Sequence, residues 1–239
     1  MADPKVSTGI RDFDAMLGGG LYEGTNVLVK GKAGTGKTTV ALQFLVEGAR
    51  MGEKGAFLTF EESSGQLVFF GKIFFPDLDS FVNGGTIQVI DFSPHNTRGK
   101  SEERANSTSY IEKMIPEFKS QGIKRLVLDG LQTFSSEFFD LSELSDKKDT
   151  DALRRALSNI LVILKKNGFT TYFLSEDSDE VPDPYGFVNF SVDGIISLSV
   201  NESLDLRIIR IAKMRGTRHT LKPMAIRISE NDGVSLVKG

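Results

Sequence analysis

The sequence predicts an α/β fold in which helices cover both faces of a mostly parallel β-sheet and antiparallel β-hairpins follow at the C-terminal end. Three observations lead to this prediction. Short apolar segments alternate with longer helix-like segments through most of the chain. These apolar segments lack a polar alternation, as expected of parallel strands that are buried on both faces. The C-terminal part instead carries segments rich in β-branched residues, which turn residues separate.

The individual elements follow from hydrophobic periodicity and from breaker residues. The predicted strands of the parallel sheet are residues 26–30, 55–60, 86–92, 125–129 and 169–174. The predicted helices are residues 37–50, 63–75, 110–121 and 151–167, and a proline or glycine follows three of them as a stop signal. The predicted hairpin strands are residues 194–200, 206–213, 224–229 and 234–237. No linker-like stretch divides these elements, so we expect residues 1–239 to form a single domain.

The composition limits the class of function. The 239 residues are 39% hydrophobic and 26% charged, which is ordinary for a soluble globular protein, and the net charge of −3 argues against extensive coating of nucleic acid or of an acidic membrane. Because cysteine is absent, disulfides, thiolate metal sites and cysteine nucleophiles are excluded. The N-terminus lacks the apolar core of a signal peptide, and no apolar run approaches the roughly 18 residues of a membrane span. We therefore expect a soluble protein without membrane association, and the absence of cysteine fits a reducing compartment such as the cytoplasm.

The junction between the first predicted strand and the first predicted helix carries a glycine-rich motif. Residues 31–38 read Gly-Lys-Ala-Gly-Thr-Gly-Lys-Thr, a full match to the G-x-x-x-x-G-K-[ST] pattern of a phosphate-binding loop, or P-loop. The glycines let backbone N–H groups turn inward toward phosphate oxygens, and the helix N-terminus adds its positive end. The motif therefore predicts a site for the triphosphate of ATP. The residues expected to contact it are Gly31, Ala33, Gly34, Thr35, Gly36, Lys37, Thr38 and Thr39.

Two side chains of the P-loop have the chemistry for further roles. Lys37 is placed to reach the β- and γ-phosphates, where its charge would assist catalysis, and the hydroxyl of Thr38 is a hard oxygen ligand suited to Mg²⁺. The alternative is a glycine-rich turn that caps an ordinary helix. A second Gly-Lys-Ser sequence at residues 99–101 has Pro94 where the first glycine or alanine is needed, and a polar stretch follows it. We predict that this second segment is a loop.

Carboxylates follow two other predicted strands. Residues 126–128 are apolar and end at Asp129, a Walker B pattern that would place this carboxylate near the P-loop and let it hold Mg²⁺ through a water. Glu61 and Glu62 follow the strand at residues 55–60, where one of them could orient or deprotonate the attacking water. The alternative for this pair is an acidic N-terminus of the next helix with Ser63 as its cap, and both interpretations can hold together.

A basic segment ends the second predicted hairpin strand. Residues 213–219 include Lys213 and Arg215, which lie too far along the chain to be assigned to this chain's own P-loop. In a ring they could neutralise the γ-phosphate held by a neighbour. The alternatives are a solvated basic strand or a nucleic-acid patch that also includes Arg207 and Arg210. Ser175, at the end of a predicted core strand, is a further candidate γ-phosphate sensor or simply a satisfied hydroxyl.

The combination of motifs resembles KaiC-like ATPases of the RecA/RadA superfamily along nearly the whole chain. The resemblance is most specific in two places. One is the N-terminal segment, with Ser-Thr-Gly-Ile at residues 7–10, Phe-Asp at 13–14 and Leu-Gly-Gly-Gly-Leu at 17–21, and the other is Lys-Met-Arg-Gly at residues 213–216. The P-loop, the Glu-Glu-Ser of residues 61–63 and Asp129 lie between them in the expected order.

This resemblance implies a RecA-type core, ATP bound between the subunits of a hexameric ring, and a cytoplasmic location. It implies that Glu61 and Glu62 are the catalytic carboxylates and that Lys213 and Arg215 act on the neighbouring site. Circadian KaiC carries two such domains, whereas this chain has one, and residues 187–193 place Asn189 and Phe190 where the second KaiC domain has its phosphorylated Ser-Thr pair. We therefore expect no comparable autophosphorylation. The Phe-Pro-Asp-Leu-Asp of residues 75–79 also replaces a Gly-Trp-Asp that is frequent in the family, and we expect this to affect packing only.

Three functions are compatible with the sequence. The first is a slow ATP-hydrolysing ring that acts as a regulatory switch on an unknown protein partner, and the second is a RadA-like, DNA-dependent recombination or repair ATPase. The third is a nucleotide-gated assembly module that does not hydrolyse ATP. Residues 133–150 hold five acidic residues against two lysines, and residues 176–190 hold five acidic residues without a lysine or arginine. Phosphate contacts need positive charge, so the sequence disfavours the DNA-dependent function.

Overall fold

The computed structural model describes residues 4–92, 107–133, 147–177 and 186–237. In chain order the elements are β1 (Lys5–Val6), α1 (Arg11–Met16), β2 (Leu21–Tyr22), β3 (Asn26–Gly31), α2 (Lys37–Arg50), β4 (Lys54–Thr59), α3 (Ser64–Phe74), α4 (Leu78–Asn83), β5 (Ile87–Asp91), α5 (Ser107–Ser120), β6 (Ile123–Asp129), α6 (Lys147–Lys166), β7 (Thr170–Glu176), α7 (Val188–Ser191), β8 (Gly194–Asn201), β9 (Leu206–Met214), β10 (Met224–Ser229) and β11 (Gly233–Leu236). The Gly-Lys-Ser of residues 99–101 and most of the two acidic segments lie outside the described residues.

The main sheet has nine strands in the order β11-β10-β9-β8-β3-β7-β6-β4-β5. The strands from β8 to β5 in this order pair in parallel, and β8, β9, β10 and β11 pair with one another in antiparallel fashion. The predicted α/β fold is therefore confirmed, including the C-terminal hairpins. The parallel strands are nearly continuous runs of buried residues because helices cover both of their faces.

Two apolar cores lie on the two faces of the sheet. The first joins α1 to α4 with the sheet and with β11 through residues such as Phe13, Phe44, Leu67, Leu78 and Val234. The second joins α5, α6 and α7 with the other face through residues such as Ile115, Leu157, Phe173 and Val188. α2, which begins at the P-loop, is buried along most of its length in the first core. The first core therefore fixes the direction in which the N-terminus of α2 points.

The N-terminal segment stabilises the outer side of α2, and its helix and two short strands escaped sequence prediction. Asp14 is buried and accepts hydrogen bonds from the hydroxyl of Ser7 (2.7 Å) and from the backbone N–H (2.9 Å) and hydroxyl (2.7 Å) of Thr8. Gln43 of α2 donates to the carbonyl oxygens of Gly9 (2.6 Å) and of Val234 (3.0 Å). The Ser-Thr-Gly-Ile and Phe-Asp motifs are thus hydrogen-bonded to each other, and through Gly9 to α2, the helix that follows the P-loop.

The segment after α3 contains one helix more than the sequence predicts. Pro76 ends the first helix as predicted, but α4 follows at once, and Phe75 and Leu78 at the junction are buried. Arg50 at the end of α2 forms an ion pair with Asp77 (2.7 Å) that joins this turn to α2. These contacts agree with a packing role for residues 75–79. In the described part of the chain, no helix combines the length and apolar character that a membrane crossing requires.

Candidate active site

The P-loop joins β3 to α2 at the edge where the parallel strands have their carboxyl ends. Gly34 and Gly36 have φ angles of +77° and +98°, a left-handed conformation that glycine adopts without strain. Gly36 is also the N-cap of α2, and no side chain caps this helix. The first N–H groups of α2 are therefore available to an anion, and the helix dipole adds positive potential there.

The loop holds its curved shape through internal hydrogen bonds. The ammonium group of Lys37 donates to the carbonyl oxygens of Gly31 (2.7 Å) and Lys32 (3.1 Å), and so lies across the mouth of the loop. Thr35 is only 2% exposed, and its hydroxyl donates to the carbonyl oxygen of Lys32 (2.8 Å). Any contact of Thr35 with a phosphate would therefore come from its backbone, whereas Lys37 can exchange its carbonyl partners for phosphate oxygens.

Thr38 and Asp129 lie side by side beneath the loop. The hydroxyl of Thr38 donates to a carboxylate oxygen of Asp129 at 3.4 Å, so the two predicted magnesium ligands, 91 residues apart in the chain, are in contact. A hydroxyl and a carboxylate are the hard oxygen donors that Mg²⁺ prefers. Burial, with smaller effects from the charges of Glu61 and Glu62, raises the pKa of Asp129 to about 7. A divalent cation at this point would oppose all of these effects and favour the carboxylate.

This raised pKa predicts a pH dependence of stability in metal-free protein. Between about pH 4 and pH 7, folded Asp129 keeps a proton that an unfolded aspartate, with a pKa of 3.8, releases. The folded state binds more protons in this window, so this residue's contribution to the free energy of unfolding falls as pH rises. We expect wild type to lose stability relative to Asp129→Asn across this range. Urea denaturation of both proteins at a series of pH values measures the difference in the free energy of unfolding. A difference that does not change with pH would contradict the raised pKa of Asp129.

Glu61 and Glu62 follow β4 at the same edge of the sheet. The side chain of Glu61 lies against Gly130, where a Cβ atom would come within 2.8 Å of Glu61 Cγ. Burial raises the pKa of Glu61 while the charge of Lys37 opposes the shift, and the charges of Glu176 and Glu62 raise it further. A glycine after Asp129 is thus needed for Glu61 to approach the Walker B strand. This contact was not predictable from local sequence, because it joins two strand ends that are distant along the chain.

Glu62 is held through its backbone. Its N–H donates to the hydroxyl of Thr59 (3.1 Å), and this hydroxyl donates to its carbonyl oxygen (2.7 Å). The hydroxyl of Ser63 accepts from the N–H of Gln66 (3.3 Å), so the helix cap considered from the sequence is present. The cap leaves both carboxylates free to serve the site, and Glu61 is the one that packs against the Walker B strand.

A cavity of about 400 Å³ opens beside the P-loop. Its walls include Phe74 of α3, Arg207 of β9 and Ile228 of β10, together with the P-loop and Thr39. The guanidinium Nε of Arg207 donates to the carbonyl oxygen of Gly34 at 3.4 Å. An apolar wall with one cation next to a phosphate loop is suited to the base and ribose of a nucleotide. From the sequence alone, Arg207 is a candidate only for a nucleic-acid patch, because the hairpin register that brings it to the loop leaves no local signal.

Ser175 and Glu176 end β7 between β3 and β6. Gln132, which follows the Walker B strand, donates from Nε2 to the hydroxyl of Ser175 (2.9 Å) and to the carbonyl oxygen of Glu176 (2.9 Å). The hydroxyl of Ser175 thus accepts a hydrogen bond within the chain, which agrees with its interpretation as a satisfied hydroxyl. Gln132 was not identified from the sequence.

Lys213 and Arg215 lie at the opposite edge of the sheet from the P-loop. Arg207 pairs with Val200 near the loop, whereas Lys213 pairs with Ile195 near the start of β8. Eight residues of extended chain separate Arg207 from Arg215, a distance of roughly 25 Å. These cations therefore do not reach the P-loop of their own chain.

The two cations differ in how firmly their own chain holds them. The ammonium group of Lys213 donates to the carbonyl oxygens of Asn189 (2.8 Å), Phe190 (3.3 Å) and Val192 (2.7 Å) at the end of α7. Burial, and then the charge of Arg215, lowers the pKa of Lys213, and the charge of Asp193 opposes this. Arg215 donates to the carbonyl oxygen of Phe190 (2.9 Å), and its side chain is 57% exposed. Arg215 is therefore the more available of the pair. In the described part of the chain, no group of three or more His, Cys, Asp or Glu residues forms a metal cluster.

The residues at the carboxyl ends of the parallel strands identify the chain as a P-loop nucleotide-binding protein. A glycine-rich loop meets a helix N-terminus there, and carboxylates from neighbouring strands flank it. The chain belongs to the KaiC ATPase family within this class, because the family model described as "ATPase: KaiC" matches residues 6–239.

Individual relatives support the same family. The chain is 29% identical to the circadian clock oscillator protein KaiC of Parathermosynechococcus lividus over 98% of its own length, and 30% identical to that of a Nostoc strain over 97%. It spans 42% and 44% of the length of these two curated relatives. A crystal structure of a KaiC-like protein from the hyperthermophilic archaeon Pyrococcus horikoshii superposes with a TM-score of 0.79 at 29% identity, covering 99% of this chain and 100% of that chain. The predicted KaiC-like, RecA-type ATPase fold is confirmed.

Proposed function

We propose that this chain binds Mg·ATP and hydrolyses it slowly as a single-domain subunit of a cytoplasmic, hexameric, KaiC-like ring that acts as a regulatory switch on a protein partner. The observation that carries the proposal is the pairing of Thr38 with Asp129 at 3.4 Å beside a P-loop whose lysine spans the loop mouth. This arrangement provides an anion cradle, a cation and two hard oxygen ligands within one small volume. Those are the components that phosphoryl transfer from ATP requires.

Each residue then has a defined task in hydrolysis. The N–H groups of residues 31–39 would hold the phosphates, and Lys37 would move from the carbonyl oxygens of Gly31 and Lys32 to the β- and γ-phosphates. Thr38 and Asp129 would hold Mg²⁺, which would neutralise charge on the phosphates. Glu61, with Glu62 as the alternative, would orient the attacking water and accept its proton. The Arg207 cavity would take the base and ribose.

The distribution of cations supports assembly. Hydrolysis is accelerated when a cation neutralises the charge that develops on the γ-phosphate, and in many P-loop proteins this cation comes from a neighbour. Measured along the extended chain from Arg207, Lys213 lies roughly 20 Å and Arg215 roughly 25 Å from the P-loop edge of their own chain. We therefore propose that they act on the next subunit, with Arg215 as the more accessible group and Lys213 exchanging its carbonyl partners to do so. An isolated subunit would then turn over slowly.

A mixing experiment tests the shared site. We expect Arg215→Ala protein and Glu61→Gln/Glu62→Gln protein each to hydrolyse ATP slowly, because each lacks one half of every site. When the two proteins are mixed, rings form in which some sites combine an intact Arg215 with intact carboxylates, so the phosphate-release rate recovers in part. At equal amounts, random assembly restores both halves at about one quarter of the sites. If mixed assemblies, verified by mass photometry, stay as slow as their components, Arg215 does not act between subunits.

The site also leads us to expect that this chain is not a KaiC-type autokinase. Asn189 and Phe190 stand where the phosphorylated pair of the resemblance would lie, and neither has a hydroxyl group. Ser191 follows, but its hydroxyl donates to the carbonyl oxygen of Phe187 (3.2 Å). Mass spectrometry after incubation with Mg·ATP should find no stoichiometric phosphate in residues 187–193. Full phosphorylation of Ser191 would contradict this expectation.

We rank a RadA-like, DNA-dependent function second. The acidic segments at residues 133–150 and 176–190 would repel phosphates, and Arg207, one of the cations of the candidate patch, contacts the P-loop. Stimulation of ATP turnover by single-stranded DNA, lost as salt is raised, would reverse this order.

A further inference from the structure

The carboxyl ends of β6 and β7 are joined by the side chain of Gln132. Its Nε2 donates to the hydroxyl of Ser175 and to the carbonyl oxygen of Glu176, both at 2.9 Å, and its Oε1 accepts from the N–H of Glu176 at 3.4 Å. The ladder between these strands runs only as far as Asp129 and Leu174. Glu176 lies two residues beyond the last β6–β7 pair. The side-chain amide of Gln132 therefore makes the hydrogen bonds to the Glu176 backbone that a β6 residue would otherwise make.

The position of Glu176 in the sheet directs its carboxylate toward the P-loop face. Glu176 pairs with Gly31, the first residue of the P-loop, in the parallel ladder between β7 and β3. Alternation along a strand places its side chain on the same face as Leu174, which belongs to the core shared with α2. Asp129 shares that face in β6, because it alternates with Val127 of the same core.

The charge of Glu176 also acts on the carboxylate proposed as the base, across the neighbouring strand β6. Burial is the main cause of the raised pKa of Glu61, and the charge of Glu176 contributes in the same direction. Three strand ends thus bring together Glu61 after β4, Asp129 of β6 and Glu176 of β7. The proposed mechanism assigns tasks to the first two and leaves Glu176 without one.

We propose that Glu176 is a further residue of the hydrolytic site, the second acceptor for the attacking water, and that Gln132 is the positioning residue that holds it there. This inference rests on the proposed ATP hydrolysis. The attacking water has two O–H groups, and a base that takes one of them leaves the orientation of the other undefined. Two carboxylates on the same face fix both groups, which directs the oxygen lone pair toward the γ-phosphorus.

The step balances with these two carboxylates. The water oxygen forms a bond to the γ-phosphorus as the bond from this phosphorus to the β,γ-bridging oxygen breaks. One proton of the water passes to Glu61, and the other remains on the oxygen that becomes part of inorganic phosphate. The hydrogen bond from this second O–H to Glu176 is present before and after the transfer. Glu176 therefore acts by orientation and needs no change of protonation.

Two substitutions test the assignment. Glu176→Gln preserves size and backbone hydrogen bonds but removes the charged acceptor, and Gln132→Met preserves length but removes the amide that holds Glu176. We expect each change to lower kcat for ATP about tenfold, the equivalent of one hydrogen bond. KM and the Kd for Mg·ATP should stay within about twofold of wild type. The thermal midpoint should stay within a few degrees. The matched control is Gln121→Met, because Gln121 is a partly buried, hydrogen-bonded glutamine at the opposite edge of the sheet.

The double variant separates positioning from general damage. If Gln132 acts through Glu176, Gln132→Met/Glu176→Gln should be no slower than the slower single variant, whereas independent effects would multiply to about one hundredfold. A multiplicative loss, or a Glu176→Gln protein as fast as wild type, would overturn the inference while the proposed function stands. Equal losses in Gln121→Met would show unspecific damage and would also overturn it. Folded wild type without any turnover would remove the proposed hydrolysis and this inference with it.

Discussion

Replacing Lys37 with alanine should abolish measurable binding of ATP while the protein stays folded. The ammonium group of Lys37 makes two hydrogen bonds to carbonyl oxygens of the loop, so it already lies where the phosphates would bind. On binding, the same group would make charge-assisted hydrogen bonds to two phosphates, each worth about 1.5–3 kcal/mol. Loss of both raises Kd by a factor of about 150 to 25,000. Isothermal titration calorimetry with Mg·ATP measures the change directly.

The matched control is Lys54→Ala. Lys54 is an exposed lysine at the start of β4, at the opposite end of that strand from Glu61, so its loss changes the net charge equally without touching the P-loop. Lys54→Ala should bind ATP like wild type. Circular dichroism and a thermal melt establish that Lys37→Ala is folded. A folded Lys37→Ala protein with unchanged affinity would show that the nucleotide lies elsewhere.

Replacing both Glu61 and Glu62 with glutamine should separate hydrolysis from binding. Glutamine keeps the shape of each side chain but cannot accept a proton, and general-base catalysis contributes about 100- to 10,000-fold to rates. We therefore expect the phosphate-release rate to fall at least about 100-fold. The Kd for Mg·ATP should stay near that of wild type or decrease, because two negative charges near the phosphates are removed. Single-turnover phosphate release with a fluorescent phosphate sensor gives the rate.

The single variants decide which carboxylate is the base. Glu61 packs against Gly130 beside the Walker B strand, so Glu61→Gln should carry most of the loss and Glu62→Gln little of it. The control is Glu112→Gln/Glu117→Gln, which removes the same charge from exposed positions of α5 on the other face of the sheet. If the Glu61→Gln/Glu62→Gln protein releases phosphate as fast as wild type, neither residue is the base. Absence of phosphate release from wild type as well would favour the nucleotide-gated assembly module that does not hydrolyse ATP.

Local features of the site were predictable from the sequence, and features made by tertiary contacts were not. The P-loop is one contiguous motif between a strand and a helix, and α2 spans Lys37–Arg50 as predicted. Asp129 was placed correctly because parallel strands end at one edge. The roles of Arg207 and Gln132 were not predictable. The register of the β8–β9 hairpin brings Arg207 to the P-loop, and a side-chain hydrogen bond between strand ends brings Gln132 to the site. Neither feature leaves a periodic signal in the sequence.

The N-terminal segment shows the same limit in a different form. Its motifs were recognised as a resemblance, but their physical role depends on contacts with distant residues. Asp14 accepts hydrogen bonds from the Ser-Thr pair of residues 7–8, and Gln43 joins Gly9 to Val234 across almost the whole chain. Arg125, buried in β6, donates to the carbonyl oxygens of Ser7 (2.7 Å) and Phe44 (2.8 Å). These contacts connect the N-terminal segment, α2 and the sheet, so the motif stabilises the helix behind the P-loop.

The most direct test is a calorimetric titration of folded wild-type protein with ATP in the presence of Mg²⁺. A single triphosphate site at residues 31–38 predicts saturable binding at one nucleotide per chain, competition by ADP, and loss of the signal in Lys37→Ala. Protein that melts cooperatively yet takes up no adenine nucleotide under these conditions would contradict the assignment of the P-loop and every role derived from it.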